Sequence, residues 1–230
     1  MRIAVFDSKQ YDRSALDAAN PHFSHELIYF DDRLNANTVP LAAGFDVVCP
    51  FVNDKLDAAT IAKLSQLGVQ LIALRCAGYN GVDLAAAELH GITVTNVPAY
   101  SPEAVAEHVF ALLLTLVRKT HRAYNRIREG NFTLDGLEGF NLHGRTFGIV
   151  GAGKIGLATA RIAAGFGCKV IAYDPYPSDH PQIEWLSRDE LFARADIISL
   201  HSPLLASTQH MINAETLARM KHGAVIINTS

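Results

Sequence analysis

Gly151-Ala152-Gly153-Lys154-Ile155-Gly156 is the segment whose residue types and spacing point most directly to a chemistry. It follows the apolar run Phe147-Gly148-Ile149-Val150 and precedes a helical run from Leu157 to Ala164, so the glycines occupy a strand-to-helix turn. Each glycine has its own task there. Gly151 permits the tight turn, Gly153 lets bare backbone approach a diphosphate, and Gly156 lets helix and strand pack closely. The helix, with Lys154 and Ile155 in its approach, aims the positive end of its dipole at the anion. The next strand, Lys169-Val170-Ile171-Ala172-Tyr173, ends in Asp174, about 20 residues past the glycines, where a carboxylate accepts the hydroxyls of an adenine ribose. That charge repels a ribose 2'-phosphate, which favours NAD over NADP. Two structural readings compete: glycine-rich turns also join strands to helices without a ligand, and Asp174 is equally placed to cap a turn ahead of Pro175 and Pro177.

Other polar groups fall where strands of such a sheet should end: His201-Ser202-Pro203-Leu204 after Ile197 to Leu200, and Asn228-Thr229-Ser230 after Ala224 to Ile227. His201 on its own reads as an ordinary polar loop residue. Arg75 ends a strand on the ligand side and adds positive potential there, while His108 lies within a helix face and reads as packing or capping.

The elements that must hold these groups alternate between strand and helix. Strands are expected at Arg2 to Phe6, Glu26 to Phe30, Asp46 to Cys49, Leu71 to Arg75 and Ile92 to Val97, with a helix from Ala58 to Leu67. After a boundary near Pro98 to Ser101, Ser101 offers an N-cap hydroxyl and Pro102 suits the first helical position, so one long helix is expected over residues 102–129. Its apolar positions Val105, Val109, Leu112, Leu113, Leu116 and Val117 make a face wider than one sheet needs. This suggests contact with another subunit, or burial within the chain. A loop at Asn131 to Gly144 leads to further strands at Thr146 to Val150, Lys169 to Tyr173, Ile197 to Leu200 and Val225 to Asn228. The alternation implies an α/β class with parallel sheets in two domains, 1–100 and 101–230.

With 230 residues, 49% hydrophobic and 19% charged, the chain has the composition of an ordinary globular protein. A net charge of -3 with no basic run argues against nucleic acid as a partner. The longest apolar helical run, Val109 to Val117, is about half the roughly 20 residues that span a bilayer. Cys49, Cys76 and Cys168 are widely spaced in apolar surroundings, suggesting neither disulfides nor a metal site, and a cytoplasmic location is expected.

The glycine turn paired with Tyr173-Asp174-Pro175-Tyr176-Pro177 is one of four features that together resemble the D-2-hydroxyacid dehydrogenases. The others are Arg75-Cys76-Ala77-Gly78-Tyr79-Asn80, Pro98-Ala99-Tyr100-Ser101-Pro102-Glu103-Ala104-Val105-Ala106-Glu107-His108, and Asn228-Thr229-Ser230. Tyr100 is similar to the fermentative D-lactate branch of that family. The resemblance implies a flavodoxin-like substrate domain and a Rossmann NAD-binding domain, both doubly wound, with ligands in the cleft between them, in a homodimer or higher oligomer formed through helix 102–129. It implies that Lys154 and Ile155 meet the pyrophosphate, that Asp174 holds the ribose, and that Ser202, Pro203, Thr208, Thr229 and Ser230 line the rest of the NAD site. Ala77 and Gly78 would receive the substrate carboxylate, with Tyr100 and Phe51 shaping a pocket for a small side chain. The structural alternatives are a plain turn at Gly78, a core role for Phe51 and a surface cap at Tyr100.

The implied activity is hydride transfer from NADH to a small 2-keto acid, pyruvate to D-lactate first, with glyoxylate, hydroxypyruvate or longer keto acids as alternatives. A non-catalytic NAD-responsive binding protein on the same scaffold is the competing class. The family's catalytic arginine, glutamate and histidine are expected after Ser230, so the chain is expected to be a shortened form, inactive alone, with no catalytic residue within it.

Overall fold

The computed structural model describes residues 1–229 and divides into two compact units, Met1–Tyr100 and Ser101–Ser230. In the first, β1 (Arg2–Val5), β2 (Glu26–Tyr29), β3 (Val47–Cys49), β4 (Leu71–Ala73) and β5 (Thr93–Thr95) pair in parallel in the order β2-β1-β3-β4-β5. This is the flavodoxin-like order, with its reversal of connection between β1 and β3. Helices α1 (Gln10–Ala19), α2 (Ala58–Gln66) and α3 (Leu84–Leu89) alternate with the strands. Asp57 and Asp83 start α2 and α3 by accepting from the amides of Thr60 and Ala86. Phe6, Leu34, Val48, Ile61, Leu64 and Ile72 form a buried core, each such side chain contributing about 1.5–3 kcal/mol.

The second unit contains α4 (Pro102–Arg118), α5 (Thr120–Arg128), β6 (Thr146–Val150), α6 (Lys154–Gly165), β7 (Lys169–Tyr173), β8 (Glu184–Trp185), α7 (Arg188–Arg194), β9 (Ile197–Leu200), α8 (Ala214–Arg219) and β10 (Val225–Asn228). The parallel sheet runs β10-β9-β6-β7-β8, the Rossmann order, with its switch point between β6 and β9. Phe110 of α4 stacks on Phe147 of β6 at 5.6 Å, while Val109, Leu113 and Val117 complete the seam over that sheet.

Two expected helices need correction. The helix over 102–129 is broken in two. Lys119 adopts a left-handed conformation, φ 52° and ψ 33°, between α4 and α5. The cause lies far along the chain: Gly139 sits so close to the end of α4 that a Cβ there would be 2.0 Å from the Val117 carbonyl, and Lys119 Nζ donates to the Gly136 carbonyl at 2.9 Å. Only α4 has a buried face; Leu112 and Leu116 on its other side are exposed, and α5 buries no residue. Helix α6 begins at Lys154 rather than Leu157, so the last glycine of the motif lies within the helix and is buried. The strands expected to reach Phe6, Phe30 and Arg75 stop one or two residues earlier, at Val5, Tyr29 and Ala73. No described helix is long and apolar enough to cross a membrane.

Candidate functional site

In the second unit the glycine turn lies at the carboxyl end of β6, beside the switch point. Gly151 has φ +90°, and a Cβ there would meet the His201 carbonyl carbon and the Ser202 nitrogen at 2.8 Å, so two strand ends close on each other only because this residue is glycine. Gly156 is confined equally: its Cβ would lie 2.1 Å from the Gly151 carbonyl oxygen. Gly153 is different. It is exposed, and a Cβ there would meet nothing within 4 Å. As the N-cap of α6 it provides no side-chain hydrogen bond, and the amides of Gly153, Lys154, Ile155 and Gly156 have no acceptor among the described residues. Four N–H groups at the positive end of a 12-residue helix, next to open space, suit a diphosphate.

Asp174, half-buried at the end of β7, accepts from the Ala152 amide at 2.8 Å through one carboxylate oxygen and from the Tyr176 amide at 2.9 Å through the other. It therefore caps the turn and also ties it to the glycine loop, leaving the lone pairs not used by these two bonds for other donors. Thr208 acts within its own loop: its hydroxyl donates to the Pro203 carbonyl at 2.6 Å and accepts from the Leu205 amide at 2.8 Å. Ser202 is half-buried and Pro203 exposed. The Thr229 hydroxyl is buried without a hydrogen-bond partner among the described residues, and Ser230 lies outside them. His201 Nε2 is 2.9 Å from the Ser199 hydroxyl, and burial lowers its pKa to about 4.

In the first unit, the carbonyls of Cys76, Ala77 and Gly78 after β4 are engaged. The Val97 amide donates to the Cys76 carbonyl at 3.1 Å, Asn96 Nδ2 donates to the Ala77 carbonyl at 2.8 Å, and the Cys76 thiol donates to the Gly78 carbonyl at 3.2 Å. The amides of Ala77 and Gly78 have no acceptor among the described residues, and a Cβ at Gly78 would meet nothing within 4 Å. The turn is thus a pair of donors with its acceptors tied off, which is what a carboxylate needs. Phe51 is half-buried, its amide donating to Asp54 Oδ2 at 2.5 Å and its ring lying beneath the Arg75 guanidinium. Asp54 is itself buried, which raises its pKa, while the bonds from Phe51 and Leu34 act in the opposite direction. Tyr100 is 70% exposed; the cap of α4 is Ser101, whose hydroxyl accepts from the Ala104 amide at 3.2 Å.

Residues 110–230 match the family described as D-isomer specific 2-hydroxyacid dehydrogenase, NAD binding domain. A D-lactate dehydrogenase of Curvularia clavata is 51% identical over 100% of this chain and 68% of its own length. The chain belongs to the D-2-hydroxyacid dehydrogenases. Among solved structures, apo D-lactate dehydrogenase of Escherichia coli superposes with a TM-score of 0.92 at 46% identity, covering 100% of this chain and 74% of that one. D-lactate dehydrogenase of Aquifex aeolicus, complexed with NAD and lactic acid, gives a TM-score of 0.85 at 33% identity, covering 99% of this chain and 68% of that one.

For this dehydrogenase the cofactor is NAD, and the glycine turn fits it on its own geometry: open space at Gly153, free amides behind it, and rigid packing at Gly151 and Gly156. Sequence reasoning missed two supporting residues of the first unit. Asp54 and Asn96 had no pattern to mark them, since each acts by holding the backbone of a neighbouring loop. Both are short polar residues close to a proline or glycine, a weak turn signal that became meaningful only once their partners were placed.

Proposed function

We propose that the protein reduces pyruvate to D-lactate at the expense of NADH, with Gly151, Gly153, Lys154, Ile155, Gly156 and Asp174 holding the cofactor and Ala77, Gly78, Phe51 and Tyr100 binding the keto acid. Ser202, Pro203, Thr208, Thr229 and Ser230 belong to the same cofactor region in this reading. NADH supplies the hydride. The observation that carries the substrate class is the turn at Ala77-Gly78, whose two amides lack acceptors among the described residues while the carbonyls of Cys76, Ala77 and Gly78 are engaged. It receives an anion without a counter-ion of its own, and the Phe51 ring, stacked on the guanidinium of Arg75 that leads into the turn, favours a small apolar side chain. The names of the relatives and the lactic acid held by the Aquifex aeolicus structure support the choice of pyruvate.

His201 is poorly suited to deliver a proton to the alkoxide that forms: burial lowers its pKa to about 4, so at physiological pH it is the neutral imidazole, a far weaker acid than the imidazolium. We read the protein further as a homo-oligomer that uses the exposed Leu112 and Leu116 face of α4. The test of function is steady-state kinetics of the intact protein with NADH and a keto-acid series. Pyruvate is expected to give the highest kcat/KM; glyoxylate, hydroxypyruvate or phenylpyruvate matching it would overturn the assignment.

A further inference from the structure

Arg75 occupies the switch point of the first sheet. Its Nη1 donates to the Cys49 carbonyl at the end of β3 (2.9 Å), and its Nη2 donates to the Asp7 carbonyl just past β1 (2.8 Å). Its Nε lies 3.3 Å from Asp12 Oδ1 of α1, and both side chains are about nine-tenths buried, at 12% and 11% exposure. The guanidinium carbon is 4.7 Å from the centroid of the Phe51 ring. All of these bonds share one plane of donors, and its face remains for the aromatic ring.

We propose that Arg75 is a positioning residue that sets substrate size selection, holding the Phe51 ring in place while its own backbone leads into the Cys76-Ala77-Gly78 turn. The inference rests on the reading of Phe51 and Ala77-Gly78 as the keto-acid site. Two strand ends and a helix fix the guanidinium, so the ring stacked on it has one orientation relative to the two donor amides. A flat cation is required. Lysine retains the charge facing Asp12 but offers neither the fork that reaches both carbonyls nor a face for the ring.

The experiment is a double-mutant cycle in the intact protein with Arg75→Lys, Phe51→Leu and the pair, reading KM and kcat for pyruvate and 2-ketobutyrate and KM for NADH. Arg75→Lys is expected to raise KM for pyruvate about tenfold and to cut the preference for pyruvate over 2-ketobutyrate by a similar factor, with KM for NADH within about twofold of the parent. The pair should be no worse than Phe51→Leu alone, because the arginine acts through the ring. Should Arg75→Lys fail to fold, Asp12→Asn takes its place in the cycle, with a smaller shift in the same direction. Unchanged preference in the Arg75 variant, or effects that simply add, overturns the proposal whatever happens to thermal stability. If Phe51→Leu leaves selectivity unchanged, the pocket reading itself fails and takes the proposal with it; if only the arginine arm is silent, that reading stands and the proposal alone falls.

Discussion

Only two residues separate Gly153 from Gly156, yet replacing each by alanine should break different things. At Gly156 the new methyl would lie 2.1 Å from the Gly151 carbonyl oxygen and 3.1 Å from Ile149 Cγ2, so the backbone of the turn must move, at a cost of about 1–3 kcal/mol or more. At Gly153 the methyl meets nothing within 4 Å. Alanine is a poorer N-cap than glycine by several tenths of a kcal/mol or more, but restricting the unfolded chain returns about 0.4–1 kcal/mol, so the two nearly cancel. What the Gly153 methyl does enter is the space in front of the free amides of α6. Displacing a diphosphate from even one of them removes a hydrogen bond to a charged group, about 2 kcal/mol, which corresponds to roughly 30-fold weaker NADH binding. Calorimetric titration with NADH and thermal unfolding of both variants separate the cases. Gly153→Ala should unfold within about 2 °C of the parent and bind NADH roughly 30-fold more weakly, whereas Gly156→Ala should lose stability outright. A Gly153→Ala protein that binds NADH as well as its parent would refute the reasoning, as would one that loses as much stability as Gly156→Ala.

Asp174→Ala removes the charge that disfavours a 2'-phosphate and also the acceptor for the Ala152 and Tyr176 amides. NADH affinity should fall about tenfold and the preference for NADH over NADPH should shrink with it, as read by titration with both nucleotides; an unchanged ratio would remove Asp174 from the ribose site. His201 supplies a pH signature. Its folded pKa, about 4, lies below its unfolded value of 6.5, so below pH 6.5 the unfolded chain binds the proton that the folded chain refuses. The stability this neutral histidine retains at pH 7 is therefore lost as pH falls from 6.5 towards 4, by about 2 kcal/mol at pH 5. Urea unfolding at pH 7, 6 and 5 should show that loss in the parent and a shallower one in His201→Gln; parallel slopes would contradict it.

What the sequence makes legible follows from how local the cause is. Nine of the ten strands read from the sequence because a parallel sheet covered on both faces demands apolar runs, whereas the two-residue edge strand β8, Glu184–Trp185, carries no such run and does not read; the glycine turn reads as a motif because all its constraints fall within six residues. The break at Lys119 does not read at all. Neither Lys119 nor Thr120 marks a helix end; the cause is Gly139 pressed against the Val117 carbonyl, 22 positions further along the chain. Helix α1 is similarly silent, since it buries no residue and Leu16 is the only large aliphatic side chain along Gln10–Ala19. Asp174 shows a third case. Turn cap and ribose acceptor look like rivals in the sequence, but the carboxylate serves the turn with one hydrogen bond to each oxygen, and each oxygen has a further lone pair.

The two sheets also show why a shared topology does not make two equal sites. At each switch point the flanking connections leave to opposite sides, so the carboxyl ends of two adjacent strands lack a covering helix. In the Rossmann sheet these ends are the Gly151 turn and His201-Ser202, packed so tightly that no side chain fits between them, and the free amides of α6 face outward beside them. In the flavodoxin-like sheet the ends of β1 and β3 present carbonyls, at Asp7 and Cys49, and the Arg75 guanidinium satisfies both. A crevice lined by donors is open to an anion, whereas one already holding a buried cation is closed to a second ligand. The proposed keto-acid site therefore lies further along the edge, at the turn that Arg75 introduces, where the amides of Ala77 and Gly78 have no acceptor among the described residues.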